Sequence, residues 1–213
     1  MPTSIAPRYF PVMIRTWLRA QRDRRTIAEW ERRGRPVPPP HVVKQRVLRE
    51  HAERYGLRTF VETGTHRGDM VEAMKPWFER IYSIELGHEL FAAARRRFRK
   101  AGHVELIQGD SARELGGVVQ RLHGPALFWL DGHYSAGDTA RGDQDTPIYA
   151  ELDHILAAPD LGHVIVIDDA RAFGSDPAYP TIDELRRYVL GRCPSVRIAV
   201  EDDSIRITPP AAP

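Results

Sequence analysis

The sequence predicts an α/β fold: a mostly parallel, seven-stranded sheet with helices on both faces and a C-terminal antiparallel hairpin, preceded by a helical extension. Three observations predict it. From Thr59 onward, short and nearly continuous apolar runs alternate with amphipathic segments. Strands buried on both faces need such runs, and their alternation with helices marks a parallel sheet. Near the end, SVRIAV and SIRIT flank Glu201, Asp202 and Asp203, which reads as two antiparallel strands across a short turn. Finally, 213 residues at 42% hydrophobic and 28% charged suit one α/β domain plus an appendage. That composition excludes a wholly disordered chain, a coiled coil and a disulfide-built mini-protein.

The elements follow in order. Residues 1–35 read as helical and basic, with Met13, Ile14, Trp17 and Leu18 on one face and Ile27 and Trp30 further on. Prolines 36, 38, 39 and 40 deny a helix its backbone donors and stop it. A second helix is expected over His41–Tyr55, closed by Gly56. The strands are TFVET (59–63), RIYSIE (80–85), VELIQ (104–108), ALFWLD (126–131) and HVIVID (163–168). Helices are expected at Asp69–Phe78, His88–Lys100, Ser111–Leu122, Pro147–Ala157 and near Ile182–Leu190. The division is therefore a basic helical extension over 1–58, broken at 36–40, and a main domain over 59–213.

Charge is unevenly spread. Up to Arg58 there are 14 Lys/Arg against 5 Asp/Glu, and the remainder of the chain is net acidic. The basic part suits a solvated helical face, a peripheral membrane contact or another anionic partner. Cys193 is the single cysteine, so no intramolecular disulfide is expected. No run approaches the roughly 18 apolar residues of a membrane-spanning helix. The N-terminus lacks an apolar core followed by a small-residue cleavage site, so it does not read as a signal peptide and a cytoplasmic location is expected.

In open parallel sheets, ligands bind beyond the carboxyl ends of the strands. Every parallel strand here carries an acid at or just past that end: Glu62, Glu85, Asp110, Asp131 and the pair Asp168–Asp169. Clustered carboxylates repel and cost stability unless something positive compensates them. The first turn, Glu62-Thr63-Gly64-Thr65-His66-Arg67-Gly68, has glycines for a tight turn and close approach of a ligand. It matches neither the dinucleotide fingerprint nor the phosphate-gripping loop. Its opening acid would repel pyrophosphate and welcome a cationic amino-acid moiety. Glu85 sits where an acid accepts hydrogen bonds from ribose hydroxyls. Asp110, between Gly109 and Ser111, suits either an adenine amino group or a helix N-cap.

With these residues the chain resembles the class I S-adenosylmethionine-dependent methyltransferases, over about residues 59–208. The resemblance rests on E-T-G-T-H-R-G, Glu85, G-D-S (109–111) and F-W-L-D-G-H (128–133). It implies a Rossmann-like sheet. It also implies that Glu62, Thr63, Gly64, Thr65 and Gly68 face the methionine part of the cofactor, that Glu85 holds the ribose, and that Gly109, Asp110 and Ser111 lie by the adenine. The departure is His66, where the family's middle glycine is missing.

Asp131, Asp168 and Asp169 should converge, since their strands are expected to be neighbours. Three carboxylates near the cofactor's sulfonium side need compensation, and Mg²⁺ with oxygen ligands is one solution. The chain here resembles the catechol-type and macrolide-sugar-type O-methyltransferases, which implies that Asp131, Asp168 and Asp169 bind the metal. The alternative is that Asp169 caps a helix and Asp168 pairs with Arg171. His133 suits a general base or a metal ligand, and Asp131 shares the catalytic and cofactor-facing position. Loop 135–147 and segment 173–180 would shape specificity. The function expected is O-methylation of a small-molecule hydroxyl, such as a sugar or a glycosylated natural product, by a chain that forms a homodimer through its N-terminal helices or lays them over the pocket. The rivals are a metal-independent methyltransferase on nitrogen or nucleic acid, and a non-catalytic binding module. Nucleic acid is disfavoured because no Asn/Asp-Pro-Pro-Tyr/Phe motif follows the fourth strand.

Overall fold

The structure, a computed structural model, describes residues 10–132, 146–157 and 161–210. Helices α1 (Phe10–Arg32) and α2 (His41–Tyr55) precede the sheet. The body then runs β1 (Thr59–Thr63), α3 (Asp69–Met74), β2 (Arg80–Glu85), α4 (His88–Phe98), β3 (Val104–Gln108), α5 (Ser111–Val119) and β4 (Ala126–Leu130). It continues with α6 (Ile148–Leu156), β5 (Val164–Ile167), α7 (Ile182–Arg192), β6 (Arg197–Glu201) and β7 (Ser204–Thr208). The seven strands lie in the order β3-β2-β1-β4-β5-β7-β6. Strands β1 to β5 pair in parallel, and β7 runs antiparallel to both β5 and β6. The expected fold class is the one observed.

Local chemistry explains the boundaries. Helix α2 ends at Gly56, whose φ of 63° is left-handed and whose N–H reaches back to the last turn. Helix α3 stops at Met74, short of the expected Phe78, because Pro76 has no N–H to give, although Lys75 before it keeps helical backbone. Helix α7 opens with a capping box between Thr181 and Glu184. The β6–β7 turn places Asp202 and Asp203 at φ of 49° and 61°, the geometry of a two-residue hairpin turn matched to strand twist.

Alternate side chains of each strand feed two cores. Val61, Tyr82, Ile84, Phe128, Leu130, Ile165 and Ile167 pack with α5, α6 and α7. Phe60, Ile81, Leu127, Trp129, Val164 and Val166 pack on the opposite face against α2, α3 and α4. Leu48 and Ala52 of α2 belong to that second core, so α2 is one of the helices covering the sheet. Helix α1 differs: Trp17 and Leu18 are exposed, and the helix is fixed at its far end, where buried Trp30 donates from Nε1 to the Pro36 carbonyl at 2.8 Å. Among the described residues, no helix is long and apolar enough to cross a membrane.

His163 enters β5 buried, with its ring edge-on to Phe128 and its Nδ1 accepting from the Ala126 N–H at 3.1 Å. Burial lowers its pKa to about 4. The unfolded chain therefore binds one proton more than the native state between about pH 6.5 and 4, and stability must fall as pH falls through that window. Replacing His163 by Asn is expected to remove on the order of 2–3 kcal/mol of the total loss of unfolding free energy across that window, read by urea denaturation across pH. An unchanged slope would show that His163 does not set it.

Candidate functional site

The parallel register brings the strand ends to one edge. Thr63 pairs with Leu130, and Leu130 with Ile167. The ladder runs one residue further: the Asp131 N–H donates to the Thr63 carbonyl at 3.2 Å and the Asp168 N–H to the Leu130 carbonyl at 3.0 Å. Asp131 and Asp168 thus end adjacent strands side by side, with Asp169 beyond. Glu85 ends β2 and Asp110 follows β3 on the same edge.

The first turn is tied to β2. Glu85 accepts from the His66 N–H at 2.6 Å and from the Gly87 N–H at 2.8 Å, so one carboxylate joins the turns after β1 and β2. A carboxylate has about four lone-pair sites, so this leaves capacity for hydroxyl donors. His66 adopts φ 49°, a left-handed conformation that glycine favours, and the bond to Glu85 holds it there. The glycines serve the protein itself. A Cβ on Gly64 would stand 2.5 Å from the Asp131 carbonyl oxygen, and one on Gly68 would stand 2.5 Å from the Phe98 ring. Gly64 lets β1 and β4 end in contact; the expected reason, approach of a ligand, is not needed to explain it.

Glu62 lies beneath the turn, 1% exposed, and accepts from the Ser83 hydroxyl, which in turn meets Thr65. Burial pushes its carboxyl well above the usual range; the Ser83 bond opposes this, and Asp131 and Glu85 add to it. Glu62 is thus enclosed within the turn and held to β2 through Ser83. Thr63 and Thr65 are buried as well. Asp110 caps α5, accepting from the Ala112 N–H at 2.9 Å, with Ser111 starting the helix behind it. His133 and loop 135–145 lie outside the described residues.

A residue that the sequence reading did not single out occupies the carboxylate rim. The Lys44 ammonium, from the first turn of α2, is hydrogen-bonded to Asp168 Oδ2 and stands 3.8 Å from Asp169 Oδ1. It also lies 5.9 Å from the centre of the Trp129 ring. Burial works against its charge, but Asp168, and then Asp131 and Asp169, outweigh this and hold the ammonium above its ordinary pKa. Burial raises Asp168 above the usual carboxylate range; Lys44 pulls it down without cancelling this, and Asp169 adds a further upward push. On the other side, Arg171 pairs with Asp169 at 2.8 Å and also with Asp203. Asp168 therefore pairs with Lys44 rather than with Arg171, and Asp169 opens a short 3₁₀ turn (Ala170–Ala172) without a side-chain capping bond.

This arrangement does not fit a magnesium site. The oxygens that would ligate the ion already face two fixed cations. Two unit charges about 4 Å apart repel by roughly 4 kcal/mol at an effective dielectric near 20, and a divalent ion doubles that. Among the described residues, no group of three His, Cys, Asp or Glu is arranged to hold a metal. Beside Asp168, the side chains of Leu130, Ile148, Phe173 and Tyr179 line a small recess with Glu151. The Phe173 and Tyr179 rings meet at 5.0 Å, so part of the segment expected to shape specificity does line this edge.

No family model matches the sequence, and no curated protein is similar to it in sequence. Solved structures are similar in fold. The O-methyltransferase from Bacillus cereus, in complex with SAH, is 16% identical with a TM-score of 0.57, over 87% of this chain and 90% of that one. The O-methyltransferase TomG from Streptomyces achromogenes, involved in tomaymycin synthesis and in complex with SAM, is 18% identical with a TM-score of 0.56, over 89% of each chain. The N-methyltransferase NodS from Bradyrhizobium japonicum is 13% identical with a TM-score of 0.52, over 78% of this chain and 94% of that one. The chain has the class I methyltransferase fold.

Gly64→Ala is expected to cost about 2–4 kcal/mol in urea denaturation, because the new Cβ meets backbone and φ is positive. Gly34→Ala, where φ is also positive but the space is open, should cost only about 1 kcal/mol. Equal losses at both positions would mean that the Asp131 carbonyl is not what demands Gly64.

Proposed function

We propose that the chain is an S-adenosylmethionine-dependent methyltransferase acting on a hydroxyl of a small molecule. The observation that carries the reading is Glu85, an acid at the carboxyl end of β2 that grips the turn after β1. That position, in a sheet of this strand order, suits an acceptor for two ribose hydroxyls. When bound, the cofactor supplies a methyl group made electrophilic by its sulfonium.

The chain's own residues would then do the following. Glu85 binds the ribose. The backbone of Gly64 to Gly68 follows the methionine portion, with Glu62, Thr63 and Thr65 supporting the turn from below. Gly109, Asp110 and Ser111 border the adenine, Asp110 through whatever capacity its cap bond leaves. Asp131 stands at the sulfonium side and, with His133, is the proposed acceptor of the substrate proton. The acceptor is proposed to meet the methyl group at the Asp131 end of this edge, and much of the rate comes from orientation. Magnesium is not part of this reading, because Lys44 and Arg171 already compensate Asp168 and Asp169. The acceptor class follows the resemblance to hydroxyl-methylating enzymes; a sugar or a glycosylated natural product is proposed.

Calorimetry tests the reading. The chain is expected to bind S-adenosylmethionine at micromolar Kd, and Glu85→Ala to weaken binding at least about tenfold through loss of charge-assisted hydrogen bonds. Asp168→Ala should leave that affinity within a few-fold. No binding by the unaltered chain would end the proposal.

A further inference from the structure

We propose that Lys44 is the resident cation of the carboxylate rim: with Arg171 it takes the place a divalent ion would hold, so that Asp131, Asp168 and Asp169 neither bind nor need a metal.

The placement starts with helix periodicity. Lys44, Leu48 and Ala52 are spaced i, i+4, i+8 on α2, and Leu48 and Ala52 are buried against the sheet. A lysine on that stripe points where the core is, not to solvent. The stripe packs on the face that carries Trp129, and Lys44 lies over that ring. Its stem crosses the apolar surface and delivers the ammonium to the end of β5. There Asp168 accepts its hydrogen bond and Asp169 stands within ion-pair range. The lysine side chain is 17% exposed and that of Asp168 only 3%. A charge held so far from water is costly unless it is matched, and the pair offsets part of that cost for Asp168 and outweighs it for Lys44.

Arg171 adds a second cation. It is bonded to Asp169 and Asp203, and Asp203 holds it from below through the Arg171 N–H at 2.9 Å. Lys44 and Arg171, from different elements, thus meet Asp168, Asp169 and Asp203. Acid crowding after β5, the electrostatic argument for a metal, is offset from within the chain. An ammonium carries three donors and Asp168 accepts one, so the same group has capacity to hold an acceptor oxygen. Only this last role rests on the methyltransferase reading; metal exclusion stands apart from it. Lys44 is a positioning residue for the rim.

The test is Mn²⁺ binding, followed by electron paramagnetic resonance and calorimetry on the full chain near pH 7.5, with S-adenosylmethionine titrated in parallel. The unaltered chain and Lys44→Arg should show no site tighter than millimolar. Lys44→Met should gain one site at least tenfold tighter, and adding Asp168→Asn should abolish it. Circular dichroism checks folding first; if the Met variant unfolds, Lys44→Gln replaces it in the same series. The proposal is overturned if the unaltered chain binds one Mn²⁺ below millimolar and loses it with Asp168→Asn. It is equally overturned if a folded variant lacking Lys44 gains no site. Failure of S-adenosylmethionine to bind would instead remove the methyltransferase reading and leave the metal result standing.

Discussion

Carboxylates gathered at one edge of a parallel sheet repel one another, and the ion pair between Lys44 and Asp168 relieves that repulsion from inside the chain. The charge balance of the rim depends on it. The ladder that brings Asp131 and Asp168 side by side is fixed by backbone hydrogen bonds and does not adjust to charge. The compensation must therefore come from a side chain aimed at the edge, and α2 supplies it because its apolar stripe docks beside Trp129. Helix α2 thus links the chain ahead of the sheet to the chemistry at its rim.

Much of this was legible in the sequence. The central parallel strands follow from apolar runs buried on both faces, and the hairpin from two alternating strands across a short polar turn. The strand-end acids follow from the same reading, since each sits within two residues of the end of a run. Lys44 escaped notice for a physical reason. A single cation on a basic helix looks like solvated surface, and its burial depends on which stripe of that helix docks. The signal was present in the spacing of Lys44 with Leu48 and Ala52, in a chain whose other cations are nearly all arginine. Composition and local charge led instead to a metal, because they registered the acids and not the lysine that meets them across a long sequence separation.

The Gly-rich turn teaches a related lesson. Gly64 and Gly68 look like a ligand cradle in sequence, yet each is required by close contact within the protein, with the Asp131 carbonyl and the Phe98 ring. His66 replaces a glycine and keeps the left-handed backbone because Glu85 binds its N–H. The first turn, β2 and the rim are therefore one connected structure. Glu85 and Asp131 hold it at two points, while Glu62, which looks like the most prominent acid in the motif, lies sealed beneath it.

The most direct measurement is a double-mutant cycle on unfolding free energy with Lys44→Met and Asp168→Asn. An ion pair that sustains the rim predicts that the double variant is more stable than the two single losses sum to, with a coupling above about 1 kcal/mol. Losses that add within about 0.5 kcal/mol would contradict it, and the acids would then owe their tolerance to something other than this lysine.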